Sequence, residues 1–312
     1  MKNSWPILSY EKGKPTYETL QLWTQILGKI KLAILPWANH SWNCTLHITP
    51  LGLTTQNIPY SNKDFQIDLD LVSHQLRIVT SLGEIQDFYL HNLNVGDFYK
   101  LIFEKLNELE IKIEILTTPS EIENPIAFEL DTVHKTYEVG QAVNFHKALC
   151  GIQDVFMIFR RDFIGKSSPI HFFWGGFDLS LAFFSGEKAP KHPGKMPGMP
   201  DWVLQDTFSH EVSDFGFITG NEAYPEAAFY CYLYPEPKNY KQGKVMPAEA
   251  FYNEALGQFI LPYSAVQSSD NPEEKLLEFL RSTYAIGAIL ANWKSDLWEE
   301  NRNFKNEISI II

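Results

Sequence analysis

The sequence predicts an α+β protein: two similar halves, each a helix, an antiparallel sheet and a second helix, packed as one pseudo-symmetric body. Three observations predict it. The order helix, several strands, helix is written twice along 312 residues. Strand segments in both halves alternate apolar and polar residues, the period of a sheet with one face on a core. Aromatic residues make up 14% of the chain, with 22 Phe and 14 Tyr. Each half alone is small for that much surface, so the halves are expected to share a core.

The first helix is expected over residues 17–35, where Leu20, Trp23, Leu27, Ile30 and Ile34 recur at steps of three and four. Thr16 is its expected N-cap and Pro36 its stop. Residues 42–91 read as antiparallel strands. In FQIDLDL, Phe65, Ile67, Leu69 and Leu71 share one face, and Gln66, Asp68 and Asp70 the other. Pro50 and Gly52 predict a bulge or an outermost position. Asn94 caps a second helix over 95–109, and KIEIL reads as a short strand. TTPSEIENPIAFELDTVHK carries turn formers and acids without helical period. It places a connector at 119–136, between a first half at 1–118 and a second half at 137–312.

The second half repeats the order. A helix is predicted at 138–162, then strands at 170–184, 209–219 and 227–234. KAPKHPGKMPGMPDW between them reads as an irregular loop. Asn271-Pro272-Glu273-Glu274 is a helix start, and Leu277, Leu280, Tyr284, Gly287 and Ala291 continue that helix. The tail ISIII is apolar and could pair as a strand or fray.

Composition narrows the function classes. A net charge of −12 without a Lys/Arg cluster argues against a nucleic-acid or anionic-membrane partner, because both need a basic face. The opening MKNSWPILSYEKGKPTYE has no apolar leader core, and no apolar run approaches a membrane span. Cys44, Cys150 and Cys231 are scattered and show no C-x-x-C. A soluble protein of the reducing cytoplasm is expected.

The most informative run is HFFWGGFDLSLAFFSG, followed by SHEVSDFGFITG and AFYCYLYPEP. Read as strands, they set Trp174, Asp178 and Ser180, His210 and Asp214, and Tyr230 and Tyr234 on faces that can coincide. With Glu236, and with His40 and Trp42 from the first half, these are the expected ligand-binding residues of an aromatic-walled pocket. As a single strand, the 171–184 segment would put His171 on the opposite face. His210, Asp178 and Asp214 are candidates for general acid–base catalysis. Their alternative role is to satisfy backbone amides near Gly176 and Gly216. His171, His210 and Glu211, with the loop residue His192, have metal-ligand chemistry, although no H-x-x-x-H or H-E-x-x-H spacing is present. Ser180 or Ser213 with His210 and Asp214 supply the residue types of a triad but no nucleophile elbow.

LWTQILGKIKLA, SWNCTLHITPLGLTT, FIGKSSPIHFFWGGFDL, SHEVSDFGF, AFYCYLYPEP and LGQFILPY together resemble an uncharacterised bacterial family catalogued only as a domain of unknown function. The resemblance covers nearly the whole chain and implies one family unit, with no activity attached. It implies that His40, Trp42, His47, His171, Trp174, Asp178, Ser209, His210, Glu211, Tyr234, Glu236, Tyr263 and Tyr284 are the motif-bearing polar residues. The functional expectation is a pocket for a small polar molecule, whether or not it is enzymatic. The alternatives are a metal-assisted hydrolase or lyase and a non-catalytic homodimeric interaction module.

Overall fold

A computed structural model describes residues 5–195 and 199–299 of the chain. The tail ISIII lies outside the described residues, as does part of the Pro/Gly-rich loop. The first half runs α1 (Tyr10–Ile34), β1 (His47–Ile48), β2 (Gly52–Thr54), β3 (Ile58–Tyr60), β4 (Lys63–Asp70), β5 (Gln75–Thr80), β6 (Ile85–Tyr89) and α2 (Val95–Glu108). The second runs α3 (Val139–Arg161), β7 (Lys166–Ser167), β8 (His171–Phe173), β9 (Asp178–Lys188), α4 (Asp201–Thr207), β10 (His210–Ile218), β11 (Ala228–Tyr234), β12 (Phe251–Asn253), β13 (Gln258–Pro262), α5 (Tyr263–Gln267) and α6 (Pro272–Leu290). The class is α+β, with two antiparallel sheets.

The first sheet is ordered β1-β2-β4-β5-β6, with β3 beside the near end of β4. Strand β4 alternates buried and half-buried residues along its length, as FQIDLDL predicts. The second sheet is ordered β12-β13-β11-β10-β9-β7, with β8 on β9. The sheets are stitched where Leu46 and Phe172 exchange backbone hydrogen bonds of 2.9 and 2.8 Å. One continuous apolar core holds Trp23, Ile67 and Phe98 of the first half with Phe145, Phe183 and Leu280 of the second. Inside it Trp23 stacks on Phe98 at 4.8 Å. Phe159 packs on Phe183 and Phe215 at 5.0 and 4.8 Å, fastening α3 to one face of the second sheet.

Several expectations need correction. Helix α1 begins at Tyr10, not near residue 17, because Ser9 caps it by accepting from the Lys12 amide. Gly13 and Pro15 in its first turns hide the helical period. Thr16, expected as the cap, is buried within the helix, where its hydroxyl accepts from the Glu138 amide at 3.0 Å. Helix α1 buries more than its apolar stripe: Thr19, Thr24, Gln25, Lys29 and Lys31 are buried as well. KIEIL joins no ladder among the described residues; the Tyr60 hydroxyl instead accepts from the Lys112 amide at 2.9 Å. Asn271 precedes α6 as expected but makes no side-chain cap bond. Helix α4 begins at Asp201, inside the end of the stretch read as an irregular loop.

The largest revision concerns residues 171–184. They are not one strand but a hairpin, β8 and β9, turned by Trp174-Gly175-Gly176-Phe177 with Phe177 at φ 56°. The turn resets the phase. His171 pairs with Ser180, and Phe173 with Asp178, so His171 shares the face it was expected to leave.

Candidate functional site

The second sheet has an apolar face on α3 and α6 and a polar face turned the other way. The register fixes which residues share the polar face. Ser180 pairs with Gly216 and Gly216 with Tyr230; Ala182 pairs with Asp214 and Asp214 with Tyr232. Asp178, Ser180, Asp214, Tyr230 and Tyr232 therefore stand together, because paired residues project to the same side. Gly216 leaves room for the Tyr230 ring, whose atoms lie 2.2 Å from where a Cβ would be.

Three other pieces close over this face. The 39–44 turn brings His40, with His40 and Ser41 in left-handed backbone at φ 61° and 57°. Asp206 of α4 holds that turn by accepting from the His40 amide at 2.9 Å and from the Trp37 indole at 3.3 Å. The connector brings Ser120 and Glu121, and the buried polar residues of α1 position it. Gln25 exchanges two hydrogen bonds with the Ser120 backbone at 2.9 and 2.8 Å, and Lys29 Nζ donates to Ser120 Oγ at 3.1 Å. Gln21 donates to the Gly175 carbonyl at 2.6 Å, tying the hairpin turn to the same helix. Trp174 lies against Gly28 of α1, and its indole donates to the Cys44 carbonyl at 2.8 Å.

The cavity so formed has a volume of about 260 Å³. Asp178 and Asp214 are in its floor, with Trp174, Phe173, Tyr230, Tyr232 and Phe208 among its walls. A second hollow of about 520 Å³, bordered by Tyr10, Tyr17 and His134, lies beyond the Gly175-Gly176 turn. Glu121, Gly175 and Gly176 border both. The glycines are needed there: a Cβ on Gly175 would sit 1.9 Å from Glu121 Oε1, and one on Gly176 2.7 Å from Asp178 Oδ1.

Tyr230 donates to Asp178 Oδ2 at 2.6 Å, and Ser180 Oγ donates to Asp214 Oδ1 at 3.0 Å. Burial pushes the Asp178 carboxyl up to about 6, with the Tyr230 bond opposing it. Burial, then the charge of Asp178, holds Asp214 well above the carboxylate range. Glu121 keeps surface open because it borders two hollows, yet protein surrounds its carboxyl. Burial and then Asp178 push it up to about 7. His40 goes the other way: burial lowers it to about 4, against the opposing pull of Asp206. At neutral pH the cavity thus holds a neutral imidazole and three carboxyl groups that resist joint ionisation.

Of the expected ligand-binding residues, Trp174, Asp178, Tyr230 and His40 meet in this cavity, as does the catalytic candidate Asp214. Trp42 stacks behind His40 at 5.0 Å and does not line the cavity. His210 is exposed at the start of β10, beyond a register shift, and touches Ser209 Oγ at 3.1 Å. It sits at the exposed end of the strand and does not line the cavity, and its ring meets Ser209, not Asp214. Tyr234 donates to the Pro190 carbonyl at 3.0 Å, and Glu236 accepts from the Tyr252 hydroxyl, both away from the cavity.

The metal-ligand candidates also separate. His171 is buried with Nδ1 on the Pro169 carbonyl at 2.8 Å, Glu211 accepts from Ser185 Oγ at 2.8 Å, and His192 stacks on Phe208 at 4.7 Å. Among the described residues no group of three or more His, Cys, Asp or Glu is arranged to hold a metal ion. The triad reading fails on geometry: Ser180 meets Asp214 without a histidine, and Ser213 faces Cys231 Sγ at 3.8 Å on the apolar side. Glu121 was missed because nothing in the connector's spacing distinguishes one of its acids from another.

A family model described as a family of unknown function (DUF5996) matches residues 5–300. No curated protein and no solved structure matches the chain. Among the described residues no helix is long and apolar enough to cross a membrane.

Proposed function

We propose that this chain, which belongs to DUF5996, a family of unknown function, binds a small polar molecule in the cavity over the polar face of the second sheet. One observation carries the reading. Asp178 and Asp214, on neighbouring strands, form the floor of a cavity of about 260 Å³ whose walls are aromatic. Apolar walls with a few convergent polar groups are the usual make-up of a ligand site. The volume lies just below the roughly 300–1,000 Å³ typical of drug-sized ligands, so the ligand is small. The test is a thermal-shift screen of polar metabolites against the wild type and Val203→Trp, which fills the cavity from α4. Hits that stabilise the wild type and not the variant support the reading. Hits that stabilise both equally place the ligand elsewhere and sink it.

A second reading, acid–base catalysis, has its own support. Asp178 at about 6 and Glu121 at about 7 border the same cavity, so near neutral pH one group can accept a proton while the other gives one up. A ligand recovered unchanged after long incubation with the protein would leave binding standing and remove catalysis.

A further inference from the structure

We infer that the ligand of this cavity is a small organic cation, an amine whose ammonium group lies among Asp178, Asp214 and Glu121 while its apolar part rests on Trp174, Tyr230 and Tyr232. The inference rests on the reading of the cavity as a binding site and adds the charge of what it takes.

The argument begins with what the cavity lacks. Three carboxyl side chains border it, yet among the described residues no Lys or Arg does. Among the described residues, none of the three carboxyls takes part in an ion pair. The nearest ammonium groups are committed elsewhere: Lys29 to Ser120 Oγ, and Lys31 to the Thr45 carbonyl. His40, the one imidazole in the wall, is held neutral by burial. Buried carboxylates are ordinarily paired or protonated; here the described residues supply hydroxyl donors to Asp178 and Asp214 but no cation.

The walls point the same way. A cation gains from the faces of Trp and Tyr rings, and more so when water is excluded. The Tyr232 hydroxyl borders the cavity with no hydrogen-bond partner among the described residues. An anion would meet three carboxyls. A metal ion would need ligands converging on a point, which these do not do. An ammonium group can donate to three separated oxygens, because its three N–H donors rotate about the C–N bond.

A charge-matched trio of probes tests this: benzylamine, benzyl alcohol and benzoate, titrated calorimetrically into the full chain at neutral pH. The groups whose titration bears on the result are Asp178, Asp214, Glu121, Tyr230, Tyr232, His40 and Cys44 in the walls, with Asp206, Lys29 and Lys31 behind them. Benzylamine is expected to bind about tenfold or more tighter than the alcohol, as a charge-assisted bond allows, and benzoate not at all. Amine binding should also release protons, read by repeating the titration in buffers of different ionisation enthalpy. Asp214→Asn should abolish the amine preference; if that variant fails to fold, Glu121→Gln, on the connector, should reduce it. Alcohol binding as tightly as amine, or benzoate binding best, overturns the cation and leaves the pocket. No binding by any of the three counts against the pocket itself, and the cation with it.

Discussion

Tyr230 and Asp178 form the most consequential pair in the cavity, since among the described residues the phenol supplies the one side-chain hydrogen bond that Asp178 receives. Tyr230→Phe should cost about 1–3 kcal/mol, the usual penalty for leaving a buried acceptor unmet, measured by urea unfolding. An unchanged midpoint would mean that water already serves that oxygen. The raised carboxyl also sets a pH dependence. A group at about 6 in the folded chain and 3.8 otherwise stabilises the fold fully below the lower value, and that contribution is lost as pH rises through the upper one. Asp178→Asn has no such dependence. Its stability relative to wild type should therefore rise between pH 4 and pH 7, by on the order of 2 kcal/mol; a flat difference would show that Asp178 titrates normally. At this scale the sequence was a partial guide. Asp178, Asp214 and Tyr230 were legible because strand alternation fixes faces once register is given. His210 was not, because alternation says nothing of where a strand begins, and His210 is the exposed first residue of β10.

Helix α1 and the WGGF turn show why some elements were misread. The apolar stripe of α1 was visible, but its buried Gln25 and Lys29 look like surface residues until their partner, the backbone and hydroxyl of Ser120, is placed beside them. That partner lies far along the chain, so no window of the sequence contains the reason. The turn at 174–177 was hidden because its residues are as aromatic as the strands it joins. The fit between the two elements is tight: a Cβ on Gly28 would sit 1.9 Å from Trp174 Nε1. Gly28→Ala should destabilise the protein by about 1–3 kcal/mol, as overpacking does. It should also shift Trp174 emission to the red as the indole leaves the Cys44 carbonyl. Subtracting the spectrum of Trp174→Phe isolates that signal, and an unmoved spectrum would show that α1 gives way instead.

For the whole molecule, two antiparallel sheets and their helices were readable from periodicity alone. The way the halves share a core was inferred only from the surplus of aromatic surface. Trp23, Phe145, Phe172 and Leu280 lie in one cluster, with α1 packed on both α2 and α3. Fragments 5–136 and 137–299 should therefore show no cooperative thermal transition alone, while the full chain unfolds in a single step by near- and far-ultraviolet dichroism. A fragment that melts cooperatively would make the halves independent. The stitch at Leu46 and Phe172 has a consequence for solubility. Among the described residues each strand of six or more residues has a neighbour on both sides, and most outermost strands are only two or three residues long. Short rims offer little template for a second chain. The exception is β6, five residues with Ile85 and Tyr89 exposed at 49% and 64%. Aggregation on heating should start from that rim, and Ile85→Lys should delay the onset of light scattering while leaving the cavity untouched.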